Sequence, residues 1–527
     1  MRIIIALAIL MNFGIVALGG QTANNMVEIL HIVGNQYFDH FGNRLAALDF
    51  NGDGYQDLAV LQPWWVPDSL DAQIGGSPTG RNWGRILFYY GGPDFDGVAD
   101  FTIEGERELH LAPAIGGFCS IGDVNGDGYD DLLVYDYPHK LNIYFGGENP
   151  SNQPGLQLDP VAGLTQTFYF TVNALGDING DGYDDFSYSC RPSSSTNPYG
   201  YGGIRIVLGG TFQEITVAIP VDVGDQSQLN GIGDINNDGY DDFVHTLFQQ
   251  PGGGAMIQQG FLHFGSEDLD LSNPYPLTEL MSYGGFVREG FGDINGDGYD
   301  DFMGLMDGFI KVWYGGESLS STYDIILEPY YVGTYMGNGS LAHGDLNGDG
   351  YSDVIGADPS VTGGRGRACI WMGGPVMNGT ADLFISGNGY MQFGTDIACG
   401  DFNGDGYDDI AFSEPCFQDV PSSWPGRVRV FAGNPDLHDT TVSIADELIP
   451  SSAAGWHFRM IPNPSHRGRG TKLKFYGEGY AKLGNLSLRI HNLRGQEMHR
   501  SELEPSSITK GEQDYADLCL PRGVYLV

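Results

Sequence analysis

A nine-residue pattern, Asp-x-Asn-x-Asp-Gly-Tyr-x-Asp, occurs seven times in the 527 residues, beginning at Asp49, Asp123, Asp177, Asp234, Asp293, Asp345 and Asp401. The intervals are 74, 54, 57, 59, 52 and 56 residues, a regularity that marks a repeat architecture. Each copy lies between two apolar runs of strand length, residues 44–48 and 58–61 around the first, which makes the pattern a hairpin loop. A third run follows each loop and ends in a large apolar residue and glycine, as at Tyr90-Gly91-Gly92, Phe145-Gly146-Gly147 and Met372-Gly373-Gly374. A shorter fourth run comes next, such as Phe101-Thr102-Ile103 or Leu383-Phe384-Ile385. Four strands per repeat make one blade, and seven such repeats predict an all-β fold, a seven-bladed β-propeller over residues 26–449. The 81 glycines, without a collagen-like period, suit a chain dense in tight turns.

Ring closure also leaves a trace. The segment Ile29-Leu30-His31-Ile32-Val33-Gly34-Asn35, ahead of the first motif, resembles the outer strand of the sixth repeat, Leu383-Phe384-Ile385-Ser386-Gly387-Asn388. An outer strand placed before blade one can only complete blade seven. Thr441-Val442-Ser443-Ile444 competes for the same position. No repeat has the polar character of a solenoid cap, so a closed ring is preferred to an open stack.

The residue types in the loop point to a hard cation. Side-chain oxygens at positions 1, 3, 5 and 9 and a carbonyl at position 7 supply the oxygen-only set that calcium accepts, and glycine at position 6 lets the chain reverse. The expected side-chain ligands are Asp49, Asn51, Asp53 and Asp57 with the Tyr55 carbonyl; Asp123, Asn125, Asp127 and Asp131 with Tyr129; and Asp177, Asn179, Asp181 and Asp185 with Tyr183. The fourth and fifth sets are Asp234, Asn236, Asp238 and Asp242 with Tyr240, and Asp293, Asn295, Asp297 and Asp301 with Tyr299. The last two are Asp345, Asn347, Asp349 and Asp353 with Tyr351, and Asp401, Asn403, Asp405 and Asp409 with Tyr407. Up to seven structural Ca2+ ions are therefore expected, against a bland alternative of metal-free Asn-Gly and Asp-Gly turns. These ligands hold 21 of the 67 acidic residues, and seven calcium ions would take the formal charge of −42 to about −28.

Charge separates the chain into two parts. Residues 1–450 carry 14 Lys+Arg against 60 Asp+Glu, whereas residues 451–527 carry 11 against 7. A field so negative repels nucleic acid and anionic lipid. Met1-Arg2, the apolar run 3–10 and the small residues Ala17, Gly19 and Gly20 read as a secretory signal peptide over residues 1–20, and no later segment is apolar enough to be transmembrane. Six cysteines without CxxC spacing give no support to zinc or redox chemistry, and they leave 15 possible pairings open.

Phe41-Gly42 before the first motif recurs as Phe393-Gly394. With the Asp-rich loop and the Gly-Gly strand end, it resembles the FG-GAP repeat of integrin α-subunit head domains. That resemblance covers roughly residues 26–445 and implies a propeller with calcium between the first and second strands of its blades. Gly116-Gly117 and Met336-Gly337 depart from the Phe-Gly pattern, so it marks blade number better than blade boundaries.

From Pro450 the motif vanishes, and alternating runs such as Lys472-Leu473-Lys474-Phe475 predict a small β-sandwich over residues 450–527. Pro462-Asn463-Pro464, Leu488-Arg489-Ile490-His491-Asn492 and Gly523-Val524-Tyr525, in this order, resemble the C-terminal sorting domain of the type IX secretion system. Such domains normally continue past Gly-Val-Tyr, and here Val527 follows closely.

No HExxH, GxSxG, P-loop or dinucleotide fingerprint is present. The leading expectation is a secreted or cell-surface binding or adhesion module for a glycan or protein ligand. An extracellular enzyme of polysaccharide lyase type and a structural spacer are the alternatives. Aromatic residues in the loops between second and third strands, Trp64, Trp65, Trp83, Tyr199, Tyr201 and Trp424, mark the expected ligand face, opposite the calcium loops.

Overall fold

The apolar runs around each motif are too short for helices and pair instead as antiparallel strands. The computed structural model describes residues 26–437 apart from 36–39, 68–82, 106–117, 137–139, 160–167, 193–203, 218–227, 250–256, 278–285, 291, 307–308, 329–339, 388–390 and 419–423, together with the backbone of strands between 456 and 526. In blade one, Leu45–Leu48, Asp57–Gln62, Arg85–Tyr89 and Phe101–Glu104 pair in chain order, with the first motif as the loop between the first two. Five further four-stranded sheets repeat this order, opening with Phe118–Ser120, Phe168–Gly176, Gln228–Gly233, Phe286–Gly290 and Ser340–Gly344. First strands of successive blades are neighbours, and that of blade seven, Ile397–Gly400, lies beside Leu45–Leu48. The ring is thereby closed, and the fold is the expected seven-bladed β-propeller.

Blade seven is completed by the N-terminus. Val27–Val33 pairs antiparallel with Arg427–Ala432, from Val27 opposite Ala432 to Val33 opposite Arg427. The competing segment 441–444 lies outside the described residues. The Arg429 guanidinium donates to Glu28 Oε2 across the closing ladder, and Arg427 Nε donates to the fully buried Glu414 carboxylate of the neighbouring strand at 2.7 Å.

The core is distributed around the ring. Among the described residues seven hydrophobic clusters occur, and each draws on two adjacent blades: Leu48, Phe50 and Phe88 of blade one meet Leu132 and Val134 of blade two. The cluster holding Leu58 and Val60 with Val428 and Val430 seals blade one to blade seven. Second strands face a seam on both sides, and Asp57–Gln62, Asp353–Asp358 and Asp409–Glu414 are accordingly buried at every residue.

Compactness divides the chain into Met1–Asp439 and Thr440–Val527. The second unit contains two three-stranded antiparallel sheets. One orders Trp456–Ile461, Thr471–Gly477 and Tyr515–Leu518; the other places Leu486–Asn492 between Glu497–Leu503 and Val524–Leu526. The Leu-x-Ile-x-Asn and Gly-Val-Tyr runs are thus paired neighbours, Ile490 opposite Leu526 and Asn492 opposite Val524. Among the described residues no helix is long and apolar enough to cross a membrane.

Candidate cation-binding loops

The first loop shows how the motif organises itself. Asp49 Oδ1 accepts from the Gly52 and Asp53 amides at 2.8 and 3.1 Å, and its Oδ2 accepts from the Gly54 amide at 3.0 Å. Asn51 Oδ1 accepts from the Asp53 amide and Asp53 Oδ1 from the Tyr55 amide, at 2.9 and 3.0 Å. Gly54, at position 6, has φ 89° with open space where a Cβ would stand, so its need is conformational. The amide of the position 6 glycine donates to the leading carboxylate in the same way around Asp123, Asp177, Asp234, Asp293, Asp345 and Asp401.

Position 9 ties the loop to its blade. Asp57 is fully buried; its Oδ2 accepts from the Phe50 amide and its Oδ1 from Gly91, the glycine ending the third strand, at 3.1 and 2.8 Å. Asp131, Asp185, Asp242, Asp301, Asp353 and Asp409 hold Gly146, Gly209, Gly265, Gly315, Gly373 and Gly433 in the same way. The Gly-Gly strand end of the sequence pattern is therefore the partner of the last Asp. Burial first, then the charges of Asp53 and Asp49, push the Asp57 carboxyl up to about 7. The same causes push Asp131, Asp242 and Asp409 up to about 8 and Asp353 well above the usual carboxylate range.

Among the described residues no three carboxylates, imidazoles or thiols stand close enough together to hold a metal. The expected convergence of Asp 1, 5 and 9 on one point is thus not seen; like charges repel, and each carboxylate is turned toward amides of its own loop or strand. The donor set still fits a hard cation chemically. It is all oxygen, and a buried carboxylate raised by two neighbouring carboxylates is the group whose ionisation a cation would favour.

Three further positions act between blades. A Cβ on Gly52, at position 4, would collide with the ring of Tyr129, position 7 of the next motif; Gly126 meets Tyr183 likewise, Gly180 meets Tyr240, and Gly404 of blade seven meets Tyr55 of blade one. In blade four Asn237 takes this place at φ 58° and donates from Nδ2 to the Gly298 carbonyl of blade five at 3.2 Å. Position 8 reaches back too: Asp130 Oδ2 accepts from the Asp49 amide at 2.7 Å while the Asp130 amide donates to the Asp49 carbonyl at 3.1 Å. Sequence reasoning gave Tyr55 and its equivalents only a carbonyl role and left positions 4 and 8 unassigned. Their recurrence, glycine in six copies and aspartate in five, was the available signal.

On the face away from these loops, at the seam of blades seven and one, His40 packs against Trp64 with centroids 4.1 Å apart and ring planes tilted by 55°, and meets Trp424 edge-on at 6.3 Å. Trp424 is 37% exposed, whereas Trp65 is buried beneath the Arg85 guanidinium and packs its loop; Trp83 is half-buried. His40 and Trp424 both adopt positive φ, 51° and 45°, a strained backbone for residues with side chains. Phe41 and Gly426 form a bridge here, and the Phe41 amide donates to the Pro425 carbonyl, so the Phe-Gly pair is the corner that docks blade one on blade seven. Tyr199 and Tyr201 lie outside the described residues.

Comparison with known proteins agrees with this architecture. The FG-GAP repeat model matches residues 41–72 and 393–430, the stretches that open on Phe41-Gly42 and Phe393-Gly394. The chain is 30% identical to integrin alpha-PS2 of Drosophila melanogaster over 200 residues, 33% of this chain and 14% of that protein. It is 31% identical to human integrin alpha-IIb over 162 residues and 26% identical to human integrin alpha-6 over 176, covering 15% and 14% of those proteins. The matched region thus spans about a seventh of the length of these relatives.

Proposed function

We propose that this integrin α-like propeller is a secreted or cell-surface binding and adhesion module whose repeat loops take up calcium, up to seven ions, in a structural role. The observation that carries the reading is the sevenfold recurrence, at one end of a closed ring, of an oxygen-only loop built over a buried carboxylate. Asp 1, 5 and 9, Asn 3 and the Tyr carbonyl of each motif would hold the ion, which supplies positive charge to a region of formal charge −46 over residues 1–450. Extracellular modules bind calcium at roughly 10⁻⁴–10⁻³ M, and tenfold excess over such a constant adds about 1.4 kcal/mol per site.

The ligand, a glycan or protein, meets the opposite face, where Trp64 and Trp424 flank His40 on a rigid scaffold. The apolar leader of residues 1–20 and the ordered motifs of residues 450–527 support export by the type IX route, with the tail a β-sandwich sorting domain. Two measurements test the proposal. A chelator is expected to lower Tm by many degrees, and calcium, more than magnesium, to restore it; an unchanged melting curve overturns the calcium reading. A glycan and protein array at millimolar calcium is expected to retain the protein without product release, while turnover of a polysaccharide would make it an enzyme.

A further inference from the structure

We propose that the aspartate at position 8 of five of the repeats is a positioning residue for the cation loop of the preceding blade, so that the loops load as coupled runs; this deepens the calcium reading above and rests on it. Residue 1 leads the ligand set, and the direction of its carboxylate follows from its main chain. That main chain is held from the next blade. The amides of Asp49, Asp123, Asp177, Asp234 and Asp345 donate to carboxylates of Asp130, Asp184, Asp241, Asp300 and Asp408 at 2.7, 2.8, 2.8, 3.0 and 2.8 Å. The amides of those same five partners donate back to the carbonyls of the five leading residues at 3.1–3.4 Å.

Residues 7, 8 and 9 are consecutive, yet they serve two loops. The ring of residue 7 covers the position 4 glycine of the preceding loop, residue 8 anchors that loop's leading Asp, and residue 9 belongs to its own loop. Successive side chains at a strand start point to opposite sides, which gives residues 8 and 9 their two directions. Any shift of this peptide when one loop closes on an ion therefore moves the anchor of the loop before it, a contiguous path for coupling.

The path is interrupted twice. Position 8 is Gln56 in blade one and Ser352 in blade six. Ser352 keeps the backbone bond to the Asp293 carbonyl at 3.1 Å, with a hydroxyl where five copies have a carboxylate. The loops accordingly fall into one run of five, blades one to five, and one run of two, blades six and seven.

Calcium titration of the full chain by calorimetry, with Tm followed in parallel, tests this. Two classes of sites are expected, five and two, the larger with a Hill slope above one. Asp184→Ala is expected to weaken one site about tenfold, as loss of a residue orienting a ligand does, and to lower the slope. Asp184→Asn keeps an acceptor and is expected to restore both. Ser352→Asp, which removes no contact from the core, is expected to raise the slope by joining the runs. Identical independent sites, or Asp184→Ala and Ser352→Asp that change Tm while leaving affinity and slope as in the parent, overturn the coupling alone; no calcium binding at all overturns the calcium reading and the coupling with it.

Discussion

At the scale of single residues, the motif was half legible. Positions 1, 3, 5, 6 and 9 have roles inside one hairpin, and a hairpin can be read from neighbouring letters; position 6 glycine does adopt the expected positive φ. Positions 4 and 8 and the Tyr ring have their partners more than fifty residues away, across a seam, where no local rule reaches. A second feature had no sequence signal. His263 stands opposite Phe243, the place that Tyr89, Trp313 and Trp371 fill in other blades, and it stacks on Phe243 at 4.9 Å. His245 lies 6.1 Å away, and neither His245 Nε2 nor either His263 ring nitrogen has a hydrogen-bond partner. Burial lowers both imidazoles from 6.5, to about 3 for His245, with the charge of His263 adding to it, and to about 4 for His263. The unfolded chain then takes up more protons than the folded one as pH falls below 6.5, so the stability these groups contribute is complete above that value and is lost progressively as pH falls to about 4 for His263 and about 3 for His245. His263→Phe is expected to stabilise by about 1 kcal/mol at pH 7, by relieving orphan nitrogens, and by more at pH 5. Urea unfolding at the two pH values checks this; an equal gain at both would remove the imidazole from the account.

At the scale of elements, strand number and order followed from the repeat, including the use of an N-terminal strand to finish blade seven. Sequence could not choose between residues 29–35 and 441–444, because one resembles the outer strand of blade six and the other follows closely on Arg427–Ala432; the strand that is seated, Val27–Val33, carries a cross-strand ion pair. Glu28 accepts from Arg429, which is 12% exposed and also lies 3.6 Å from the buried Glu414. Glu28→Ala is expected to cost about 2 kcal/mol by leaving that guanidinium short of a partner. His31→Ala on the same strand, at 63% side-chain exposure, should change stability by less than about 0.5 kcal/mol. Denaturant midpoints of the two variants test the ranking, and equal costs would mean that the ladder bonds alone hold the strand.

At the scale of the whole molecule, composition marked a basic tail set apart from an acidic body, and the chain divides into compact units at Asp439. Because the seven clusters among the described residues that form the seams are built from residues 26–437, deletion of residues 450–527 is expected to leave the propeller's Tm within a few degrees of the parent. Scanning calorimetry checks this, and a truncated chain that does not fold would move the boundary. Closure carries a consequence for biosynthesis. Val27 pairs with Ala432, so the segment of the propeller translated first waits for one made ~400 residues later. The entropic cost of so long a loop grows only slowly with length, yet the contact is non-local and belongs to the late, slow part of folding. Until that contact forms, the completed chain is an open arc with an unpaired edge at Arg427–Ala432, the stage at which it is most exposed to aggregation.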